Sequence, residues 1–211
     1  YAGSPEREDV RDVYISKKWK TIDEMPQGGT IATGSSRRKA QLLQQRPDLH
    51  IQGLRGNMDT RLAKLDECKW DGIITAAAAM HRLSLRERIS QYLAPDIFVP
   101  AGGQGALGLE IASDREDVKQ ILSDIIDNNT TCCCQAERIY LNKMEGDCFA
   151  PIGCLARVEE HAFLITAYSA SKDASQRCQE TVQGDIFDFE KLALILADKM
   201  IQNGAREFIA Q

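Results

Sequence analysis

Two sets of side chains in this 211-residue sequence could do chemistry. The first is a lone thiol, Cys148, centred in Glu145-Gly146-Asp147-Cys148-Phe149-Ala150-Pro151-Ile152-Gly153. Glycine, aspartate and proline on both sides mark a tight, shaped loop. A thiol held there can serve as a nucleophile, a metal ligand, a covalent attachment point or plain buried filler. The second set is a series of arginines, Arg37, Arg38, Arg55, Arg61 and Arg82. Guanidinium groups grip carboxylates and phosphates in pairs, so a cluster of them implies a ligand carrying several such groups.

The elements around the arginines say how they could meet. Thr30-Ile31-Ala32-Thr33 reads as a short buried strand, Gly34-Ser35-Ser36 as a turn, and Arg37 to Gln45 as a helix stopped by Pro47. Two arginines in a first helical turn oppose the helix dipole unless something negative lies beside them. A solvated basic helix face is the plainer alternative. The unit repeats in outline: strand Leu49 to Leu54, turn Arg55-Gly56-Asn57, helix Asp59 to Leu65, then strand Asp71 to Thr75 leading through four alanines to His81-Arg82. In open α/β sheets ligands bind beyond the carboxyl ends of strands, where these arginines fall. Five guanidiniums meeting there would repel one another without a polyanion.

The remaining segments divide the chain. Residues 1–20 read as a connector, 21–96 as the arginine-rich α/β domain, 97–112 as a return segment, and 113–211 as a C-terminal α+β module. Ile97 to Pro100 and Gly102 to Ile111 read as strand, glycine-rich bend and strand, without the spacing of a dinucleotide fingerprint or a P-loop. Two helices, over 114–126 and 131–143, precede the Cys148 loop. Three strands, 154–158, 163–168 and 178–182, follow it, with an amphipathic helix over 187–202.

Composition narrows the class. A net charge of −5 argues against a general binder of nucleic acid or membrane surfaces. No apolar run is long enough to span a bilayer, and no signal-peptide pattern opens the sequence. The seven cysteines are odd in number, with Cys132, Cys133 and Cys134 adjacent and no C-x-x-C pair, and the three histidines are scattered. A reduced, intracellular protein without a bound metal is expected.

Taken together, the motifs resemble the porphobilinogen deaminase (hydroxymethylbilane synthase) family. The pieces that carry the resemblance are Thr33 to Leu42 (TGSSRRKAQL), Arg46 to Leu49, Leu54 to Leu62 (LRGNMDTRL), Lys64 to Asp66, Pro100 to Gly108 (PAGGQGALG), Ala136 to Arg138 and Glu145 to Gly153 (EGDCFAPIG), in family order. The resemblance implies a periplasmic-binding-protein-like βα domain, a return segment to a truncated first domain, and a C-terminal α+β domain with a three-stranded sheet. It implies that Cys148 carries a dipyrromethane cofactor through a thioether. It further implies that Arg37, Arg38, Arg55, Arg61 and Arg82, with Ser35, Thr33 and Gln104, bind the acetate and propionate groups of cofactor, porphobilinogen and growing polypyrrole. The implied reaction is the stepwise, deaminating condensation of four porphobilinogen molecules by a cytoplasmic transferase of heme biosynthesis. The sequence departs from the family at Ala32-Thr33-Gly34-Ser35-Ser36 before the arginine pair, at Asp147, at His81 and at Gly102.

The resemblance implies that the family's catalytic aspartate belongs to a first domain, most of which is expected to be missing from this sequence. Asp59 and Asp147 are better read as cap or turn residues than as its substitute. A separately supplied N-terminal piece is therefore an expected partner, and an anion-binding module or an inactive remnant of the deaminase are the competing readings. Purified chain 1–211 is expected to give no sustained tetrapyrrole output, which continuous absorbance of oxidised product checks.

Overall fold

The computed structural model describes residues 1–145, 150–160 and 162–210. The loop carrying Cys148 and Asp147 thus lies outside the described residues. The first half of the chain builds a five-stranded mixed sheet from β1 (Asp12–Ile15), β2 (Thr30–Ala32), β3 (His50–Gln52), β4 (Gly72–Ala76) and β5 (Gln91–Tyr92), in the order β3-β2-β4-β1-β5. Strand β2 pairs in parallel with β3 and β4, and β1 runs antiparallel between β4 and β5.

Side-chain alternation along these strands splits the core into two layers. Val13, Ile15, Ala32 and Ile73 pack on one face under α2 (Met58–Glu67) and α3 (Ala77–Arg82). Tyr14, Ile31 and Ile74 pack on the other with Leu42 of α1 (Ser36–Gln45) and with Phe98. The 1–20 segment therefore does more than connect: its apolar alternation Val13-Tyr14-Ile15 is a fully buried strand inside the sheet.

The expected strands over 97–111 do not form. The segment makes turns, with Gln104 N–H bonding Ala101 O at 3.0 Å and Ala106 N–H bonding Gly103 O at 3.0 Å, and a single isolated bridge, Gly3 to Leu109. Pro100 offers no donor to a ladder, and Gly103 and Gly105 sit at φ of 75° and 82°. The segment instead lies beside residues 2–8, where Glu8 N–H bonds Gly105 O at 3.0 Å.

The C-terminal half follows the expected order. Helices α4 (Glu116–Leu122) and α5 (Asn128–Met144) precede the antiparallel meander β6 (Ile152–Glu159), β7 (Ala162–Ala170) and β8 (Arg177–Gly184). Helix α6 (Phe189–Gln202) and the short α7 (Ala205–Ala210) complete it. Phe163, Ile165 and Ala167 of β7 face α5 and α6, whereas Tyr168 and Ala170 turn the other way, onto Ala40 of α1 and Val99. The three adjacent cysteines start α5 pointing apart: Cys133 joins the core, while Cys134 lies near Tyr1.

Glu137 of α5 ties the halves together. Fully buried, it accepts from Arg7 Nη1 at 2.7 Å and Nη2 at 3.1 Å, from Gly103 N–H at 2.6 Å and from Ala156 N–H at 2.7 Å. Burial alone would lower the Arg7 guanidinium, but the Glu137 carboxylate outweighs it and holds Arg7 firmly charged. Removing one partner of such a pair strands the other charge in a dry site. Glu137→Ala is expected to destabilise the fold by about 3–5 kcal/mol, measured as a drop in the denaturant midpoint.

Candidate functional site

The arginine pair that looked anomalous in sequence meets a carboxylate of the protein itself. Asp12, fully buried at the start of β1, receives Arg37 Nη1 at 2.7 Å on Oδ2, and Arg38 Nη2 at 2.7 Å and Nε at 2.9 Å on Oδ1. The Arg37 contact is an ion pair without aligned hydrogen-bond geometry, so Oδ2 has charge compensation but no hydrogen bond among the described residues. Burial would raise the Asp12 carboxyl; the two guanidiniums overcome that and hold it below the usual carboxylate range.

Gln104 closes the cluster. Its Nε2 donates to Val10 O at 2.7 Å and to Asp12 Oδ1 at 3.1 Å, while its Oε1 faces Arg37 Nη2 and Arg38 Nη2 at 3.5 and 3.4 Å. Arg37 Nη1 also donates to Val99 O at 2.6 Å, a carbonyl shared with Gln41 Nε2 at 3.0 Å. Ser35 caps α1 by accepting from Arg38 N–H at 3.4 Å, and Thr33 Oγ1 accepts from Ser35 N–H at 3.3 Å. Thr33 and Ser35 thus shape the turn that aims the arginines. A Cβ on Gly34 would sit 2.4 Å from Leu54 O, so only glycine lets the turn lie this close to the strand–turn connection after β3.

The other three arginines stand differently. Arg61 donates through Nε to Gly56 O at 2.8 Å, and its charge reaches Arg38. Burial lowers the Arg38 guanidinium, Asp12 opposes this, and the like charges of Arg37 and Arg61 add to the lowering. Arg55 is exposed and lines a cavity of about 450 Å³ with Thr33, Ser35, Lys39 and Lys64. Arg82 is exposed at the end of α3, and among the described residues no ion pair joins it to the cluster. So the expectation of five mutually repelling cations is corrected: two are neutralised in part by Asp12, one stands close, one lines the adjoining cavity, and one stands apart from these contacts.

A second cavity, about 500 Å³, adjoins the first at the same turn and lies between Ser35, Arg37, Lys39, Ala150, Ile152 and Lys172. Among the described residues, neither cavity is lined by a carboxylate. Asp12, Lys39 and Lys172 were missed in sequence. Asp12 had a signal, because a helix that begins with two arginines demands an anion, and Asp12 opens the one apolar alternation nearby. Lys172 had none, since nothing local places its loop against α1.

Comparison with known proteins bears on this arrangement directly. Residues 1–120 match the family model described as "Porphobilinogen deaminase, dipyromethane cofactor binding domain", and 131–202 match "Porphobilinogen deaminase, C-terminal domain". The chain belongs to the porphobilinogen deaminase family. It is 40% identical over 203 residues to the porphobilinogen deaminase of Alkaliphilus metalliredigens, covering 96% of this chain and 64% of that protein. It is 41% identical to that of Brevibacillus brevis, covering 98% and 67%, and 39% identical to that of Thermus thermophilus, covering 100% and 70%. The chain therefore spans about two thirds of the length of these deaminases. Its cofactor-domain match contains Asp12, the arginine pair and Gln104; its C-terminal match contains Glu137 and Lys172.

His81 is bonded on both ring nitrogens, to Glu8 Oε1 at 3.1 Å and Tyr92 Oη at 2.9 Å. It braces the 1–11 segment against β5 instead of facing the arginines.

The sign of the Asp12 shift fixes a pH dependence. Its folded-state value is depressed, so its stabilisation is fully present above the ordinary value of 3.8 and is lost as pH falls through the lower folded value. Asp12→Asn is expected to lose roughly 3–5 kcal/mol at neutral pH and to flatten the acid limb of stability against pH, read by denaturant titration from pH 7 down to the acid transition.

Proposed function

We propose that this chain is the arginine-bearing and cofactor-bearing portion of a cytoplasmic hydroxymethylbilane synthase, acting on porphobilinogen and the growing polypyrrole. The observation that carries this reading is electrostatic. Two arginines, Arg37 and Arg38, share one buried carboxylate, the charge of Arg61 reaches Arg38, and the turn that aims the pair borders two adjoining cavities with cationic linings. In a chain of net charge −5, such local excess of positive charge favours an anionic occupant.

A dipyrromethane with four carboxylate arms suits these residues. One cavity offers Arg37 and Lys172, the other Thr33, Arg55 and Lys64, and Ser35 and Lys39 line both. The buried Tyr168 hydroxyl, near Arg37, has no hydrogen-bond partner among the described residues. When bound, the group supplies a pyrrole carbon as the primer to which porphobilinogen units are joined, each with loss of one ammonia.

The work of this chain's residues is positional. Arg37 and Arg38, locked by Asp12 and Gln104, present fixed cationic edges, so little order is lost when carboxylates dock. Arg55 and Arg61 extend the cationic track along the β3–α2 connection. Arg82, exposed at the end of α3, is assigned with them to the carboxylates of substrate and growing chain. Cys148 is the attachment point by its match to the family motif. No residue of this chain is assigned the role of catalytic acid. The boundaries 1–20, 21–96, 97–112 and 113–211 are retained as functional segments, with β1 credited to the arginine-rich sheet.

Attachment is tested by intact mass. The chain is incubated with the linear tetrapyrrole bearing a terminal hydroxymethyl group. The Cys148 sulfur–carbon bond forms as the hydroxymethyl carbon–oxygen bond breaks, and the thiol proton leaves with the hydroxide as water. A mass gain mapped to Cys148, surviving denaturation, giving colour with acidic dimethylaminobenzaldehyde and lost in Cys148→Ser, is expected. Binding without mass gain, or a gain on exposed Cys68, overturns the reading in favour of a simple anion-binding module.

A further inference from the structure

Lys39 and Lys172 come from opposite halves of the chain and line one cavity. Their meeting is fixed by packing: Ala40, next to Lys39, and Ala170, two residues before Lys172, share a buried cluster with Val99, Leu155 and Tyr168. Both lysines are exposed, and among the described residues neither has an ion pair. Of the described lysines, these are the two that line this cavity, and they reach it from opposite halves of the chain.

The carboxylate nearest Lys172 in sequence is already engaged. Asp173 Oδ1 accepts from Ser171 Oγ at 2.5 Å, Ser175 N–H at 3.1 Å and Ser175 Oγ at 2.8 Å, and these bonds hold its carboxyl at about 2. They also fix the β7–β8 loop that presents Lys172. Lys39 borders both cavities, because α1 turns its first exposed side chain between them. Arg37, the third cation of the cavity, is held by Asp12 and Val99 O.

Resting on the reading above, we infer that Lys39 and Lys172 form a two-sided clamp for one carboxylate arm of the bound dipyrrole, bridging the arginine-rich sheet and the C-terminal sheet through the ligand. The ligand class is a pyrrole polycarboxylate. The consequence is that the anion helps to hold the two halves in register, with Lys172 contributing from the half that lacks the arginine pair.

The test uses a probe that cannot attach covalently: a synthetic dipyrromethane with two acetate and two propionate arms and no leaving group. Amine acetylation by sulfo-N-hydroxysuccinimidyl acetate is followed by peptide mass spectrometry, with and without saturating probe. Lys39 and Lys172 should both be protected by about fivefold, with exposed Lys20 unchanged. Lys172→Ala should weaken probe binding about five- to tenfold, as loss of one charge-assisted contact does, and Lys172→Arg should restore it. Probe binding that leaves Lys172 as reactive as Lys20 overturns the clamp, as does an unchanged affinity in Lys172→Ala or absence of binding to the wild-type chain. The mass gain at Cys148 is read separately, so failure of the clamp and failure of the cofactor assignment give different results.

Discussion

The ion triad of Asp12 with Arg37 and Arg38 is the constraint around which the first half of the molecule is built. A helix that opens with two guanidiniums is electrostatically awkward, and burying one of them in an apolar interior is worse. Strand β1 removes the difficulty by entering the sheet antiparallel between β4 and β5, which brings Asp12 level with Ala76 and under the start of α1. That placement explains why an otherwise parallel β2-β3-β4 unit carries an antiparallel neighbour. The triad keeps a net positive charge, with Arg61 adding to it. A protein aiming only for stability would balance the charges; here the surplus stays beside open cavities.

Glu137 does for the junction what Asp12 does for the sheet. One carboxylate gathers the N-terminal segment through Arg7, the glycine-rich return through Gly103, and β6 through Ala156. Both acids are fully buried, and both satisfy partners from distant parts of the sequence. The cavity bearing Lys39 and Lys172 lies between these two anchored regions, so its walls are held from both sides.

Much of the architecture could be read from local pattern. The strand-turn-helix order through α1 and α2, the meander and α6 all appear where periodicity and caps put them, with α1 ending before Pro47. Failures occurred where a local pattern was overruled by distant partners. Val13-Tyr14-Ile15 is too short to announce a central strand, and only pairing with β4 makes it one. Residues 97–111 look extended, yet proline and left-handed glycines leave them as turns lying against residues 2–8. The arginines were legible as a set, but not that Arg37 and Arg38 answer to Asp12 while Arg82 stands away. The lysine opposite α1 was invisible, because its position depends on how two sheets dock.

Gly153 and its neighbours give that docking an unusual character. A Cβ at Gly153 would lie 2.7 Å from Val99 O, and Cys154 N–H bonds Pro100 O at 2.9 Å. With Ala156 N–H on Glu137, the start of β6 is fastened to the return segment largely by main-chain atoms. Such a seam is blind to most side-chain identities. The outer faces of both halves can change in charge and solubility while the alignment survives, so long as Gly153, the Arg7–Glu137 pair and the buried cluster around Val99 are kept.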